Sequence, residues 1–74
     1  MKDLERAVKI VSKEALEEYE EIRRMGTVNM DSYNDVSRLA MKSKRVNLAT
    51  LSAPQFIVLL INYPELLYYY GLKT

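Results

Sequence analysis

Glycine and proline are rare in this chain, and their positions constrain the fold more than any other feature. The 74 residues contain two of each, at Gly26, Pro54, Pro64 and Gly71, and the intervals between them are of helical length. No interval shows the strict apolar and polar alternation that is typical of a strand. We therefore predict one all-α domain spanning 1–74, folded as a compact bundle of three to four helices. The predicted helices cover 3–25, 32–44, 53–62 and 64–70.

Apolar residues in the first predicted helix recur at spacings of three and four or their sum, which is typical of an amphipathic helix. They are Leu4, Val8, Val11, Ala15, Ile22 and Met25. Gly26 follows directly and suits the left-handed backbone of a helix C-cap. We therefore expect a single helix of about six turns over 3–25.

Capping signals mark the later helices. Asp31 or Ser32 is the expected N-cap of the second helix, because a short side-chain oxygen accepts from the first free amides. Ser52, with Gln55 three residues later, has the pattern of a capping box. Pro64 disfavours the α conformation in the residue before it, which predicts a kink or a new helix start there.

The chain has no cysteine and no histidine, which excludes several classes of site. Structural zinc needs these ligands, thiol catalysis needs cysteine, and histidine is the usual proton shuttle near neutral pH. We predict no enzyme activity, no metal site and no cofactor. A domain of this size buries only roughly 60 to 65% of its unfolded surface, so helix packing and oligomerisation are the expected sources of stability.

Apolar runs in this chain are too short for membrane insertion. Residues 1–11 alternate charged and apolar side chains, unlike a signal peptide. The most apolar run, 56–61, is far shorter than the roughly 20 residues of a membrane span. We therefore predict a cytoplasmic protein that does not contact membranes. Its net charge of +1 gives no overall attraction to nucleic acid.

Three consecutive tyrosines near the C-terminus are the strongest candidates for a contact surface. Side chains of successive helical residues point about 100° apart, so all three tyrosines cannot enter one core. Tyrosine is enriched at interfaces, where its ring is buried and its hydroxyl finds a partner. The predicted partner-binding residues are Leu66, Leu67, Tyr68, Tyr69 and Tyr70. The alternative is that this segment is plain core.

A cluster of positive charge lies on the solvent side of the second predicted helix and at its C-terminal end: Arg38, Lys42, Lys44 and Arg45. Such a cluster steers an acidic partner or contacts phosphates, and its alternative role is to offset the helix dipole. A helix-turn-helix with the third helix as reader is disfavoured, because 56–60 offers apolar groups where base edges need polar ones.

The first helix also carries a ridge of carboxylates at Glu14, Glu17, Glu18 and Glu21. We interpret it as a solvated face, in which Glu17 and Glu20 pair with Lys13 and Arg24. The alternatives are a divalent-cation site at an oligomer interface and a negative surface that imitates phosphates.

The middle of the chain carries the pattern Ile22-Arg23-x-x-Gly26-x-x-Asn29-Met30, then Asn34, then Val36-x-Arg38-Leu39-Ala40. Over roughly twenty residues this resembles a family of small phage and prophage proteins of unknown function. The family pattern places an aromatic residue and then aspartate after Asn-Met, where this chain has Asp31 and Ser32. The resemblance implies a virus-encoded accessory protein and lends no activity.

The sequence therefore predicts a non-enzymatic binding or regulatory module, forming a homodimer or small oligomer. A viral origin implies a host protein as the partner, such as a defence or transcription component that the module inhibits. The first alternative is a small nucleic-acid-binding regulator that uses the basic cluster. The second is a protein that sequesters small nucleotides.

Overall fold

The computed structural model describes residues 3–72, and within them the predicted all-α class is confirmed, with no strand. Six helices replace the predicted three to four, because the first predicted helix is divided in two and a further short helix forms. The helices are α1 (Leu4–Ile10), α2 (Lys13–Met25), α3 (Tyr33–Lys42), α4 (Val46–Ala49), α5 (Ala53–Ile61) and α6 (Tyr63–Tyr69).

The prediction of one helix over 3–25 was wrong, because the chain leaves the helical conformation at Val11 and Ser12. Val11 is extended, with φ −110° and ψ 108°, and the Ser12 hydroxyl accepts from the Ala15 amide at 3.0 Å to cap α2. An unbroken helix over 3–25 would be roughly 34 Å long, whereas the longest dimension of the folded chain is 30 Å. The break lets both segments face one core.

Three predicted end signals are confirmed. Gly26 ends α2 in the left-handed region, with φ 66°. Ser32 is the N-cap of α3, accepting from the Asp35 amide. At α5, the Gln55 amide donates to the Ser52 hydroxyl at 3.3 Å while the Gln55 side chain accepts from the Ser52 amide at 2.8 Å, which completes the capping box.

The break between α5 and α6 lies at Asn62, one residue before the predicted position. Tyr63, the residue before Pro64, is the first residue of α6, so the usual avoidance of the α region is overridden there. The buried Asn62 amide group donates to the Val58 carbonyl at 3.0 Å and accepts from the Asp3 amide at 3.2 Å. One side chain thereby satisfies backbone groups of two helices.

Hydrogen bonds at both ends align α1 with α6. Where both helices start, the Asp3 amide donates to the Asn62 side chain. Where both helices end, the Tyr70 hydroxyl donates to the Val8 and Val11 carbonyls. The two helices therefore run parallel over their full length. The common core contains Ala7, Val11, Ala15, Leu16, Tyr19, Ile22, Val36, Ala40, Leu48, Leu51, Phe56, Leu59, Leu66 and Leu67.

Candidate partner-binding surfaces

The C-terminal segment divides between core and surface. Leu66 and Leu67 are buried in the core of their own chain, so they are not free to contact a partner as predicted. Tyr68 and Tyr69 are 64% and 59% exposed, which confirms that the three tyrosines do not all enter the core. The side-chain directions on α6 explain the division, because residues facing α1 and α2 are covered and the next two are not.

Tyr70, the third tyrosine, holds the end of α6 against the junction of α1 and α2. Its hydroxyl lies 3.1 Å from the Val8 carbonyl oxygen and 2.7 Å from that of Val11, and donates to them. These carbonyls have no helical partner where α1 ends. Burial, followed by the nearby Tyr69 and Glu14, raises the pKa of Tyr70. Tyr70 is therefore a structural residue, and the exposed tyrosine pair is Tyr68 and Tyr69.

Helix α5 does not present a polar reading surface. Phe56 and Leu59 are buried, while Ile57 and Ile61 are exposed on the other face. An exposed pair of isoleucines offers no donors or acceptors to base edges. This arrangement agrees with the expectation that the third predicted helix is not a recognition helix.

The basic cluster is brought together at the C-terminal end of α3 and the turn after it. Arg38, Lys42 and Lys44 are exposed and form no salt bridge among residues 3–72. Arg45 differs, since its side chain is only 24% exposed and its Nε lies 3.2 Å from a carboxylate oxygen of Glu21. Three of the four predicted cations are thus available for contacts.

Sequence reasoning missed two exposed apolar side chains beside these cations. Met41, in the last turn of α3, is 68% exposed, and Val46, the first residue of α4, is 62% exposed. They lie on either side of the turn that contains Lys44. Lys44 has a φ of 61°, in the left-handed region where glycine is usual. The exposure of Met41 and Val46 depends on where α4 packs, and the local sequence carries no signal for α4.

Two of the four ridge carboxylates, Glu18 and Glu21, are engaged within the chain, and so is the neighbouring Glu20. Glu18 accepts from the Leu48 amide and the Asn47 side chain, both at 2.8 Å. Glu20 accepts from the Tyr63 hydroxyl, and Glu21 pairs with Arg45. The predicted pairs of Glu17 with Lys13 and of Glu20 with Arg24 are absent from the described salt bridges.

A surface concavity of about 450 Å³ follows this ridge. Its lining residues are Glu14, Glu17, Glu18, Glu20, Glu21, Arg24 and Leu72. No three carboxylates among residues 3–72 converge in a way that would hold a metal ion. Five acidic side chains give the concavity a negative potential, which attracts cations and repels phosphates.

Tyr63, the first residue of α6, makes a polar contact with Glu20 of α2 at the edge of the core. Burial, the hydrogen bond to Glu20 and the charge of Glu20 raise the pKa of Tyr63 well above its usual value. The Arg23 guanidinium lies 5.7 Å from the centre of its ring, within cation–π range. Burial also raises the pKa of Tyr19, with Asp31 contributing. At neutral pH these hydroxyls stay protonated and act as hydrogen-bond donors.

Comparisons with protein-family models, curated proteins and solved structures found no match for this chain. Among the helices of residues 3–72, none has the length and apolar character that crossing a membrane requires.

Proposed function

We propose that this chain is a non-enzymatic module that binds another protein through Tyr68 and Tyr69. The observation that supports this proposal is the contrast within one short segment. Leu66, Leu67 and Tyr70 are covered by the chain itself, whereas two adjacent aromatic rings are left largely in solvent. Large exposed aromatic side chains are the usual anchors of protein interfaces.

The partial resemblance to phage proteins suggests the kind of partner. A virus-encoded accessory protein acts on proteins of the bacterial host, so a host defence or transcription component is the proposed target, and inhibition is the proposed effect. Ile57 and Ile61 on α5 are also exposed, and they are further apolar side chains that a protein partner could cover.

The test uses a photo-cross-linking residue in place of Tyr69, with a matched chain that carries it in place of Lys9, an exposed residue of α1. Both chains are irradiated in a bacterial lysate. We expect a discrete cross-linked host protein from the Tyr69 position alone, and its loss when Tyr68→Ser is added. Identical products from both positions would contradict the proposal.

A nucleic-acid-binding regulator is the second candidate, favoured by Arg38, Lys42 and Lys44, which are exposed and form no salt bridge with the other described residues. Phosphate contacts of this kind weaken steeply with salt. A DNA or RNA mobility shift that disappears in the variant with all three residues changed to alanine would support it. Sequestration of small nucleotides gains no support from the carboxylate-lined concavity, which repels phosphates.

A further inference from the structure

Two groups of charges form no salt bridge among residues 3–72. On α2, Glu14 and Glu17 are exposed and make no described salt bridge or hydrogen bond. On α3 and the following turn, Arg38, Lys42 and Lys44 are likewise exposed, and their side chains make no described salt bridge or hydrogen bond.

The first group lies on a surface of mainly negative charge, where Arg24 is the one cation among the described residues that line the concavity. The second lies on a surface of mainly positive charge, where the exposed Asp35 lines the same small pocket as Arg38 and Lys42. Neither group finds its counterpart in a salt bridge among residues 3–72.

The salt bridge between Glu21 and Arg45 marks the boundary between the two groups. Glu17 lies one helical turn from Glu21, roughly 6 Å along α2, in the direction of the N-terminal end of that helix. Lys44 directly precedes Arg45 in the chain.

The basic group extends in the other direction from this boundary. Arg38 and Lys42 line a small pocket together with Asp35, Leu39 and Val28, and Val28 follows the C-terminal end of α2. The acidic and basic surfaces are therefore neighbours on either side of the bridge, and they extend in different directions from it.

We propose that a second copy of this chain docks on this face, related to the first by a two-fold axis near the Glu21–Arg45 bridge. A two-fold rotation about a boundary between opposite charges places each negative surface over the positive surface of the other copy. Such an interface is isologous and closes at a dimer. The shared chemistry is Lys42 and Lys44 of each copy against Glu14 and Glu17 of the other.

Shape supports the same pairing. The acidic surface is concave and has Leu72 on its lining. The basic surface is a turn between two helices, where Met41 and Val46 flank Lys44 and are exposed. In the dimer the turn enters the concavity, so the two exposed apolar side chains gain a covered position beside Leu72. Neither Tyr68 nor Tyr69 lines the concavity, so the turn of the second copy leaves the tyrosine pair free for the partner proposed above.

Light scattering on a sizing column measures the mass of the native chain at low and high salt. We expect a dimer at low salt whose mass falls by half as salt rises, because exposed charge pairs are screened. Lys42→Glu with Lys44→Glu in one chain, and Glu14→Lys with Glu17→Lys in another, should each give monomers at low salt. All four positions are exposed, and circular dichroism checks the fold of each variant.

Mixing the two charge-reversed chains in equal amounts is the decisive step. A mixed dimer restores both contacts, since the new acidic turn meets the new basic concavity and the two native surfaces also meet. We therefore expect the mass to double on mixing. The matched control, Tyr69→Glu, should remain a dimer.

Three results would overturn the proposal. They are a native monomer at low salt, a dimer that ignores both charge reversals, and charge-reversed chains that stay monomeric when mixed. A dimer lost in Tyr69→Glu alone would assign self-association to the tyrosine pair instead. Binding of the native basic turn to nucleic acid without any dimer would assign the cations to the second candidate function. Each outcome is separate from the cross-linking result at Tyr69.

Discussion

Single side chains close the junctions of this backbone where helices end. Asn62 satisfies groups of α1 and α5 at once, and Tyr70 donates to two carbonyls at the end of α1. Asn29, whose side chain accepts from the Asp31 amide at 3.0 Å, closes the loop before α3. Because five of the six helices among residues 3–72 have ten residues or fewer, unsatisfied terminal groups are numerous for the size of the core, and each such residue has a large share in stability.

Removal of the Tyr70 hydroxyl tests one of these junctions. Tyr70→Phe keeps the ring and leaves the Val8 and Val11 carbonyls without their donor, so we expect the free energy of unfolding to fall by about 1 to 2 kcal/mol. Urea denaturation measures the change. Tyr69→Phe is the matched control, since the Tyr69 hydroxyl makes no described hydrogen bond, and its stability should be unaltered. An equal loss in both variants would show that Tyr70 holds the junction by its ring alone.

Lys44 provides a test of backbone conformation. The Arg45 amide donates to the Ala40 carbonyl at 2.8 Å and the Lys44 amide to the Met41 carbonyl at 3.3 Å, which is the Schellman pattern with lysine at the position that usually holds glycine. Its φ of 61° is costly for a residue with a Cβ. Lys44→Gly should therefore raise the free energy of unfolding by roughly 0.5 to 1 kcal/mol.

The control for this substitution is Lys44→Ala, which removes the same charge and keeps the Cβ. At high salt, where the proposed dimer contact of Lys44 is screened, we expect its thermal midpoint to match that of the native chain, while the midpoint of the glycine variant rises. A rise in both variants would attribute the effect to charge repulsion within the basic cluster.

Capping residues in the sequence correctly predicted the helix ends at which they occur. Gly26, Ser32 and the Ser52–Gln55 box ended or started helices as the sequence indicated. Ser12 carries the same type of signal, but the apolar periodicity continues across it and predicts one unbroken helix. Helix α4 lacks any local cap, since its N-cap residue Arg45 makes no side-chain capping bond.

The cap of α4 comes from Glu18, thirty residues earlier in the chain. Its carboxylate accepts from the Leu48 amide and lies at the positive end of the short helix. Glu18→Ala leaves that amide unsatisfied, and we expect the free energy of unfolding to fall by about 1 to 2 kcal/mol. At high salt, where the proposed dimer contact of Glu17 is screened, Glu17→Ala, an exposed neighbour, should change it by less than about 0.5 kcal/mol. Similar values for the two variants would show that water replaces Glu18 without cost.

The exposure of the candidate surface residues also depends on contacts between elements that are distant in the sequence. Composition identified the C-terminal aromatic segment and the basic cluster. It could not separate Leu66 and Leu67 from Tyr68 and Tyr69, because the exposed side of a short helix depends on the elements packed against it. The sequence could not show that Arg45 is engaged in a salt bridge for the same reason, since its partner Glu21 lies on another helix.

A chain of aromatic rings connects four helices across the molecule. Tyr33 of α3 contacts Phe56 of α5, with ring centres 5.7 Å apart. Phe56 in turn contacts Tyr19 of α2 at 6.0 Å, and Tyr19 contacts Tyr63 of α6 at 5.5 Å. The tyrosines at both ends of this row also donate hydrogen bonds. The Tyr33 hydroxyl donates to the Leu51 carbonyl at 3.0 Å, and the Tyr63 hydroxyl donates to Glu20. Ionisation of a tyrosine in this row therefore affects several helices together.

Alkaline pH should therefore unfold this protein through its tyrosines. Burial raises the pKa of Tyr19, Tyr63 and Tyr70 in the folded chain, whereas the unfolded chain titrates near pH 10. Below that pH both states hold these protons and the full stability is present. As pH rises above about 10, the unfolded chain releases protons that the folded chain retains, so stability falls until the folded pKa values are passed.

Urea midpoints measured from about pH 8 to about pH 11 should accordingly be level at first and then decline, together with a rise in tyrosinate absorbance. Tyr63→Phe lowers stability at neutral pH, because it removes the donor to Glu20, but its decline with pH should be shallower than that of the native chain. Tyr68→Phe is the control, since Tyr68 is largely exposed and the decline should be unchanged. A native chain whose midpoint stays level to pH about 11 would mean that Tyr63 and its neighbours ionise in the folded state as easily as in the unfolded one.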